Sequence, residues 1–322
     1  MKKRIIVSIV LIFLAVCAVY LCYLFHGKVK KLGEWGGAGK SSGEFNKHGP
    51  GALAINSSGT TVYVVNGSRI KYFTPKGEYL GQWGSWGRRD GEFYVPSGIA
   101  VNSSGTTIYV VDYLYDRVQY FTPNGKYLGQ WGSGGSSKGQ LIHPSGIAIN
   151  SAGTTVYVAD TDNDRVDYFS PTGKYLGEFN YHLANYPHFP CGPVGIAINF
   201  AGTTVYVTDD INDRVFCFSP RGRYLGQWGR RGHGKGEFLS PEGIAINSDG
   251  TTIYVSDVGN NRIEYFTPTG RYLGQWKCYG TGSGNSLQIA VNSTNDAVYV
   301  ADGANSLVEY FKVFPRRKIL KF

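Results

Sequence analysis

The sequence GIAVNSSGTTIYVVDYLYDRVQYFTPNGKYLGQW, residues 98–131, decides the fold because it recurs along the chain. Close copies begin at Gly146, Gly195 and Gly243, and looser copies begin at Gly51 and Gln288. Successive copies therefore start 47, 48, 49, 48 and 45 residues apart. A repeat of this length is one supersecondary unit, so the sequence predicts a single array of six units.

Each copy has the pattern of four short strands. In the third copy, short apolar or alternating runs occupy residues 146–150, 155–159, 165–170 and 174–179. Asp160 ends the second run, and Pro-Thr-Gly at 171–173 separates the last two. Proline at the second position and glycine at the fourth position are typical of a type I turn. We predict an antiparallel meander of four strands in every unit.

A lone four-stranded sheet exposes apolar surface on both faces. Stacking its neighbours around an axis covers both faces and gains about 1.5–3 kcal/mol per large apolar side chain buried. The predicted fold class is therefore all-β: a six-bladed β-propeller of four-stranded antiparallel blades.

Three features of the repeat resemble the NHL-repeat family of six-bladed β-propellers. They are the aspartate that ends the second strand, the Asn-x-Arg that opens the third strand, and the glycine-rich segment that ends in Gly-Glu-Phe before the next unit. The resemblance covers residues 32–311 and implies a fold, without implying one activity.

Either end of the chain has a segment able to close the ring. Residues 31–36, followed by Gly-Glu-Phe at 43–45, copy residues 79–84 and 91–93. The sixth copy ends its third strand near Phe311, so we expect residues 31–36 to supply its missing fourth strand and remove a free sheet edge. The alternative is that residues 318–322 of the tail supply that strand.

The positive charge lies at the ends of the chain. The formal net charge is +9, but residues 1–31 carry six Lys/Arg and residues 312–322 carry five, with no acid in either segment. Residues 32–311 thus hold 32 − 11 = 21 bases against 23 acids. A near-neutral domain of this kind argues against a nucleic-acid partner.

The N-terminal residues have the pattern of a membrane anchor. Residues 5–25 contain no charge, Gly or Pro and follow three basic residues. A stretch of this length spans the ~30 Å hydrocarbon layer, although a cleaved signal peptide is an alternative. We predict an anchor at 1–30, a propeller at 31–314 and a basic tail at 315–322. The prediction is thus a single-pass membrane protein with an extracytoplasmic propeller.

In a propeller, the loops after the second and fourth strands share one face. This loop face collects repeated Asp and Arg residues, which either bind a cation or polar ligand or hold the loops and pair between blades. Their repetition in four blades favours the structural interpretation. These residues are Asp112 and Arg117, Asp160 and Arg165, Asp209 and Arg214, and Asp257 and Arg262.

Departures from the repeat are stronger candidates for a binding site. The first copy has Asn66 and Arg69 around a shortened loop that lacks the aspartate. The sixth copy keeps Asp302 but has Leu307 in place of the arginine. The long connector around His188 adds aromatic residues, and variable loops on a rigid scaffold are where specificity is expected.

A metal or phosphate site has weaker support. His48 and His143 occupy one repeat position and are the candidate zinc ligands, but other copies lack the histidine and no spacing matches a zinc motif. We therefore predict no cofactor, with zinc or calcium as the alternative. Residues 39–41, Gly-Lys-Ser, lack the first glycine and the following helix of a phosphate-binding loop.

These patterns predict a non-enzymatic binding or scaffold module that recognises a protein, peptide or glycan through its loop face. The alternative is a metal-assisted lyase or hydrolase with a site at the channel, since lyase relatives of the fold bind zinc through channel histidines. The sequence contains no recognisable pair of nucleophile and base, which would have favoured an enzyme.

Overall fold

A computed structural model describes residues 29–47, 49–180, 192–278, 287–294 and 296–314. Six antiparallel sheets of four strands each correspond to the six copies, and we number them as blades one to six. The first strands of neighbouring blades contact one another in order, and those of blades six and one also meet. The structure therefore confirms the six-bladed propeller.

The strands are numbered in chain order. A strand before the first blade is β1 (Val29–Gly36). Blade one holds β2 (Leu53–Ile55), β3 (Val62–Asn66), β4 (Arg69–Phe73) and β5 (Tyr79–Trp83). The connector to blade two contains a short parallel pair, β6 (Ser85–Trp86) and β7 (Glu92–Phe93). Blade two holds β8 (Pro96–Val101), β9 (Ile108–Asp112), β10 (Arg117–Phe121) and β11 (Tyr127–Trp131).

The later blades repeat this order. Blade three holds β12 (Pro144–Ile149), β13 (Val156–Asp160), β14 (Arg165–Phe169) and β15 (Tyr175–Asn180). Blade four holds β16 (Pro193–Ile198), β17 (Val205–Asp209), β18 (Arg214–Phe218) and β19 (Tyr224–Trp228). Blade five holds β20 (Pro241–Ile246), β21 (Ile253–Asp257), β22 (Arg262–Phe266) and β23 (Tyr272–Lys277). Blade six holds β24 (Leu287–Val291), β25 (Ala297–Asp302) and β26 (Leu307–Val313). One-turn 3-10 helices follow three of the second strands, at Tyr113–Tyr115, Thr161–Asn163 and Val258–Asn260.

The second strand of each blade is apolar on both faces because both faces are covered. In β13, Val156 and Val158 pack toward blade two, whereas Tyr157 and Ala159 pack toward blade four. This alternation follows from the two-residue period of a strand. Six apolar clusters, one between each pair of neighbouring blades, form the core of the ring.

The N-terminal strand closes the ring, as predicted. Strand β1 pairs antiparallel with β26, with Lys31 opposite Phe311 and Trp35 opposite Val308. Trp35 also packs on Phe73 of blade one, at 4.4 Å between ring centroids. The pairing starts at residue 29, two residues earlier than predicted. The alternative strand, residues 318–322, lies outside the described residues.

Glycine recurs in the first strand because neighbouring first strands approach closely near the axis. A Cβ atom added to Gly146 would lie 2.1 Å from the carbonyl oxygen of Val194 in the next blade. For Gly195 the corresponding distance, to the carbonyl oxygen of Glu242, is 2.2 Å. The glycine of the repeated Gly-Ile-Ala sequence is thus explained by the narrow space between first strands near the axis of the ring.

The prediction of a single-pass membrane protein is wrong. Within the ranges described, the chain forms strands of up to eight residues and one-turn 3-10 helices, and no helix is long and apolar enough to cross a membrane, which takes about 20 residues. Residues 5–25, on which the prediction was based, lie outside the described residues.

Candidate functional site

The channel mouth is lined by the beginnings of the first strands. A cavity of about 340 Å³ lies there, and its lining includes Tyr113, Ser145, Glu242 and Gln288. Most of the lining is glycine and aliphatic side chains. The Ser145 hydroxyl donates to the Pro193 carbonyl at 3.2 Å and to the Val194 carbonyl at 3.1 Å, so this polar group links two blades. The mouth offers few charged groups to a ligand.

The repeated Asp and Arg hold the connector that leads into their own blade. In blade three, Asp160 is fully buried and accepts from the Ile142 amide at 2.6 Å. The Arg165 guanidinium donates to Asp160 at 2.8 Å and to the Ser136 and Gln140 carbonyls at 3.0 and 2.8 Å. We call this arrangement the Asp–Arg clamp. It fixes the loop face and leaves neither side chain open to a ligand.

The clamp recurs in blades two and five. Asp112 accepts from the Tyr94 and Val95 amides, each at 3.2 Å, while Arg117 donates to the Glu92 carbonyl at 2.8 Å. In blade five, Arg262 donates to Asp257 at 2.7 Å and to connector carbonyls. The structure therefore places these predicted site residues inside the framework. Their pairing is within a blade and with its connector, not between neighbouring blades as expected.

Blades four and six hold their aspartates through backbone amides. Asp209 accepts from the Asn212 amide at 2.8 Å and from the Gly192 amide at 3.2 Å, and Asp302 accepts from the Asn305 amide at 3.0 Å. Both aspartates are buried, while Arg214 is half-buried. Burial raises the pKa of Asp209, and the hydrogen bonds it accepts oppose that rise. A carboxylate held in this way stabilises the loop.

Blade one departs from the clamp, as the sequence indicated. Asn66 takes the place of the aspartate: its side-chain oxygen accepts from the Asn46 amide at 3.2 Å, and its amide donates to the Gly49 carbonyl at 2.9 Å. Arg69 is exposed. Lys71, two residues along β4, reaches the connector instead and donates to the Ser42 carbonyl at 3.1 Å and to the Glu44 carbonyl. A cavity lined in part by Asn66, Arg69 and Lys71 lies beside this connector.

The histidines do not assemble a metal centre in the part of the chain that is described. His143 stacks on Tyr113 with ring centroids 4.6 Å apart, and its Nδ1 lies 2.6 Å from the Asp162 carboxylate. No group of three or more potential ligand side chains occurs among the described residues. His48 and His188 lie outside them.

A cluster that sequence reasoning missed lies on the loop face between blades one and two. The ring centroids of Trp86 and Tyr94 are 5.6 Å apart, and those of Tyr94 and Tyr115 are 5.5 Å apart. The Arg88 guanidinium lies 5.1 Å from the Tyr115 ring centroid. Trp86 is 69% exposed and Tyr94 is 38% exposed. We call these four residues the aromatic patch.

The sequence carried a signal for this patch. Where blade two has Tyr115, blades three and five have Asn163 and Asn260, whose side chains donate to the clamp aspartate at 2.7 Å. Trp86 and Tyr94 stand where the next connector has Gly134 and Ile142. A search for the residues that differ between copies, rather than for those that agree, would have found all three.

Comparison with known proteins supports the fold. A family model described as a 6-bladed beta-propeller matches residues 194–279, which contain blades four and five. The chain is a six-bladed β-propeller. No curated protein sequence matches it.

Solved structures of similar fold have very different sequences. Virginiamycin B lyase from Staphylococcus aureus gives a TM-score of 0.61 at 13% identity, covering 89% of this chain and 100% of the lyase chain. A catalytically inactive variant of that lyase with quinupristin gives 0.62 at 16% identity, covering 90% and 100%. Hydrazine synthase from Kuenenia stuttgartiensis gives 0.58 at 14% identity, covering 84% and 96%. At these identities the likeness shows the fold alone.

Proposed function

We propose that this propeller is a non-enzymatic binding module that recognises a protein, peptide or glycan through its loop face at blades one and two. The observation that carries the proposal is the contrast between the repeated and the divergent residues of that face. The clamp side chains of blades two, three and five are buried in the framework. In the aromatic patch, Trp86, Arg88 and Tyr94 are exposed and Tyr115, which they adjoin, is half-buried.

The aromatic patch has the chemistry of a recognition surface. Tryptophan, tyrosine and arginine carry most of the energy in protein interfaces, and aromatic faces also stack on sugars and peptide side chains. Leu114 and Val95, beside the patch, are 41% and 42% exposed. An exposed apolar surface of this composition is typical of a binding site.

The scaffold is rigid, as such a site requires. The clamp of blade two holds both the connector that carries Tyr94 and the strand that follows Tyr115. The patch side chains therefore need little ordering on binding, which lowers the entropic cost of association.

We also infer that the blades are NHL-type repeats, on the strength of the aspartate, Asn-x-Arg and Gly-Glu-Phe pattern. We propose that the propeller runs from the start of β1, two residues before the predicted boundary at residue 31, to residue 314, with basic segments outside it. The near-neutral charge of the propeller supports a partner other than nucleic acid.

The test is binding of the purified full chain to peptide and glycan arrays, followed by titration of the hits. The double substitution Trp86→Ala and Tyr94→Ala is expected to weaken binding at least tenfold, because hot-spot aromatics commonly contribute that much. Phe200→Ala is the matched control, since Phe200 is an exposed aromatic side chain (75%) in the turn between β16 and β17, on the opposite face.

Equal losses in the double variant and in the control would show that the site lies elsewhere. Mass spectrometry of the bound ligand separates binding from catalysis. A ligand recovered chemically altered by the wild-type chain would favour the lyase or hydrolase alternative and overturn the non-enzymatic proposal.

A further inference from the structure

A second cavity lies on the loop face of blade one, beside the connector that leads into this blade. Its volume is about 420 Å³. Three cationic side chains, Lys40, Arg69 and Lys71, line it. The remaining lining consists of hydroxyl, amide, glycine and indole groups, among them Ser42, Gln82 and Trp86. No carboxylate lines this cavity.

The cations of the cavity have no close carboxylate partner. Among the described residues, no Asp or Glu lies within 4.0 Å of the charged nitrogens of Lys40, Arg69 or Lys71. Blade three is different, because there Arg165 lies within 3.2 Å of both Asp160 and Asp167. At the corresponding positions blade one therefore has cations that form no ion pair within 4.0 Å, and the acid whose charge acts on Lys71 is Glu44.

Lys71 is the buried member of the three. It is 7% exposed, and its ammonium donates to the Ser42 and Glu44 carbonyls. An ammonium has three donors, so one N–H remains for a ligand. Burial, and then the nearby Arg69 charge, lower the pKa of Lys71, while the charge of Glu44 raises it. An anion in the cavity would offset this cost, because a buried charge is stabilised by a paired opposite charge.

The nearest acid is already engaged. A carboxylate oxygen of Glu44 accepts from the Ser41 amide at 2.8 Å, and this bond is the main reason that the pKa of Glu44 is lowered. Glu44 thus holds the loop that carries Lys40 and Ser41. The Ser42 hydroxyl adds a donor suited to an oxyanion, whereas the Ser68 hydroxyl donates to the Tyr94 carbonyl at 3.3 Å and the Ser41 hydroxyl bonds to Glu44.

We propose that this cavity is a binding site for a tetrahedral oxyanion, a phosphate or sulfate group on a small ligand or on a larger one. Three cations, with the Ser42 hydroxyl and the Gln82 side-chain amide as further donors, match the charge and the several acceptor oxygens of such a group. The site stands independently of the aromatic patch, although Trp86 borders both. A ligand with an oxyanion next to an apolar group would contact the two together.

The test is calorimetric titration of the full chain with inorganic phosphate and with inorganic sulfate. Saturable binding of one anion per chain is expected, weakening as ionic strength rises. Arg69→Gln combined with Lys40→Gln is expected to weaken binding at least tenfold. Both side chains are exposed, so the variant keeps the fold, and circular dichroism checks this. Lys71→Met is the second variant, and it should also weaken binding if it folds.

The matched control is the double variant Arg271→Gln and Arg221→Gln, which removes the same charge from exposed positions in the turns between third and fourth strands. Equal weakening in the control and in the cavity variant would indicate non-specific attraction and overturn the proposal. Absence of saturable binding by the wild-type chain would also overturn it. Titration with O-phosphoserine and with glucose 6-sulfate distinguishes a phosphate ester from a sulfate ester. If one of them binds more tightly than the other and than acetate, the result supports the site and identifies the ester. If neither binds more tightly than acetate, the proposal is overturned.

Discussion

Blades one and three have different side chains at three equivalent positions of the repeat, and the two sets of side chains differ in burial and in charge. Blade three has Asp160, Arg165 and Asp167, which are all buried and close to one another. Blade one has Asn66, Arg69 and Lys71 at those positions, and Arg69 turns to solvent. The Asp–Arg clamp is thus not required in every blade, since it occurs in blades two, three and five, and the other blades hold the same loop by different hydrogen bonds.

The largest difference in stability between the two blades is expected when the arginine side chain is removed. Arg165→Leu leaves the Asp160 carboxylate and the Asp167 carboxyl group buried without the guanidinium between them, and we expect it to lower the free energy of unfolding by about 3–5 kcal/mol. Arg69→Leu, at an exposed position, should change it by less than about 0.5 kcal/mol. Urea denaturation measures both values, and similar losses would show that blade one also depends on its arginine.

The dependence of stability on pH should distinguish the two blades next. Burial raises the pKa of Asp167 to about 8, with Asp160 and Glu178 adding to the rise and Arg165 opposing it. The folded chain then keeps a proton that the unfolded chain loses near pH 4. The stabilisation is complete below about pH 4 and is lost as the pH rises through about 8, with a limiting slope of about 1.4 kcal/mol per pH unit.

Asp167→Asn removes this titrating group and should flatten the fall in the free energy of unfolding between pH 5 and pH 8. Lys71, at the same position in blade one, has a lowered pKa. The contribution of Lys71 to the free energy of unfolding is therefore present above the ordinary lysine pKa and is lost as the pH falls through the pKa of Lys71 in the folded chain. An unchanged profile in the Asp167→Asn variant would mean that another group governs this range.

A smaller effect is expected at the glycine of the first strand. Gly146→Ala in blade three forces a Cβ against the Val194 carbonyl and should cost about 1–3 kcal/mol of unfolding free energy. Blade one already has Ala52 at this position. Gly43→Ala is the control, because its nearest neighbour would be 3.9 Å away. A neutral Gly146→Ala would show that the inner strands can separate.

The smallest effect on stability is expected where blade two departs from blade three. Tyr115→Asn restores the residue that blade three has as Asn163, whose amide donates to Asp160. The free energy of unfolding should change by less than about 1 kcal/mol. The cation–π contact with Arg88 disappears, so binding of an array-derived ligand should weaken severalfold while thermal unfolding stays nearly constant.

The fold was predictable because a six-fold repeat states its strand pattern six times. Gly146 and Asp160 recur in the sequence for reasons that repeat in the ring: the glycine lies close to the first strand of the next blade, and the aspartate holds the connector to its own blade. The closing strand was predictable because residues 31–36 copy a fourth strand that has no blade of its own before it.

The candidate sites were only partly predictable. The divergence of Asn66 and Arg69 pointed to blade one. The cavity also depends on Lys71, whose ammonium contacts the Glu44 carbonyl, equivalent to a connector carbonyl that a guanidinium contacts in other blades. Because Lys71 and the arginine occupy different positions of the repeat, the sequence alone did not show this. The aromatic patch brings together Trp86 and Tyr115, from two different loops. The type of residue at one position of the repeat does not show that its ring contacts a ring from another loop.

The pairing of β1 with β26 has a consequence during synthesis of the chain. Lys31 and Glu309, which form an ion pair across this junction, are separated by 278 residues. At ribosomal rates of about 5–20 residues per second, β1 waits roughly 15–55 s for its partner strand. Throughout that interval both the first and the newest blade present open edges, which favour pairing with a second nascent chain. The last strand to emerge is thus the one that ends this exposure.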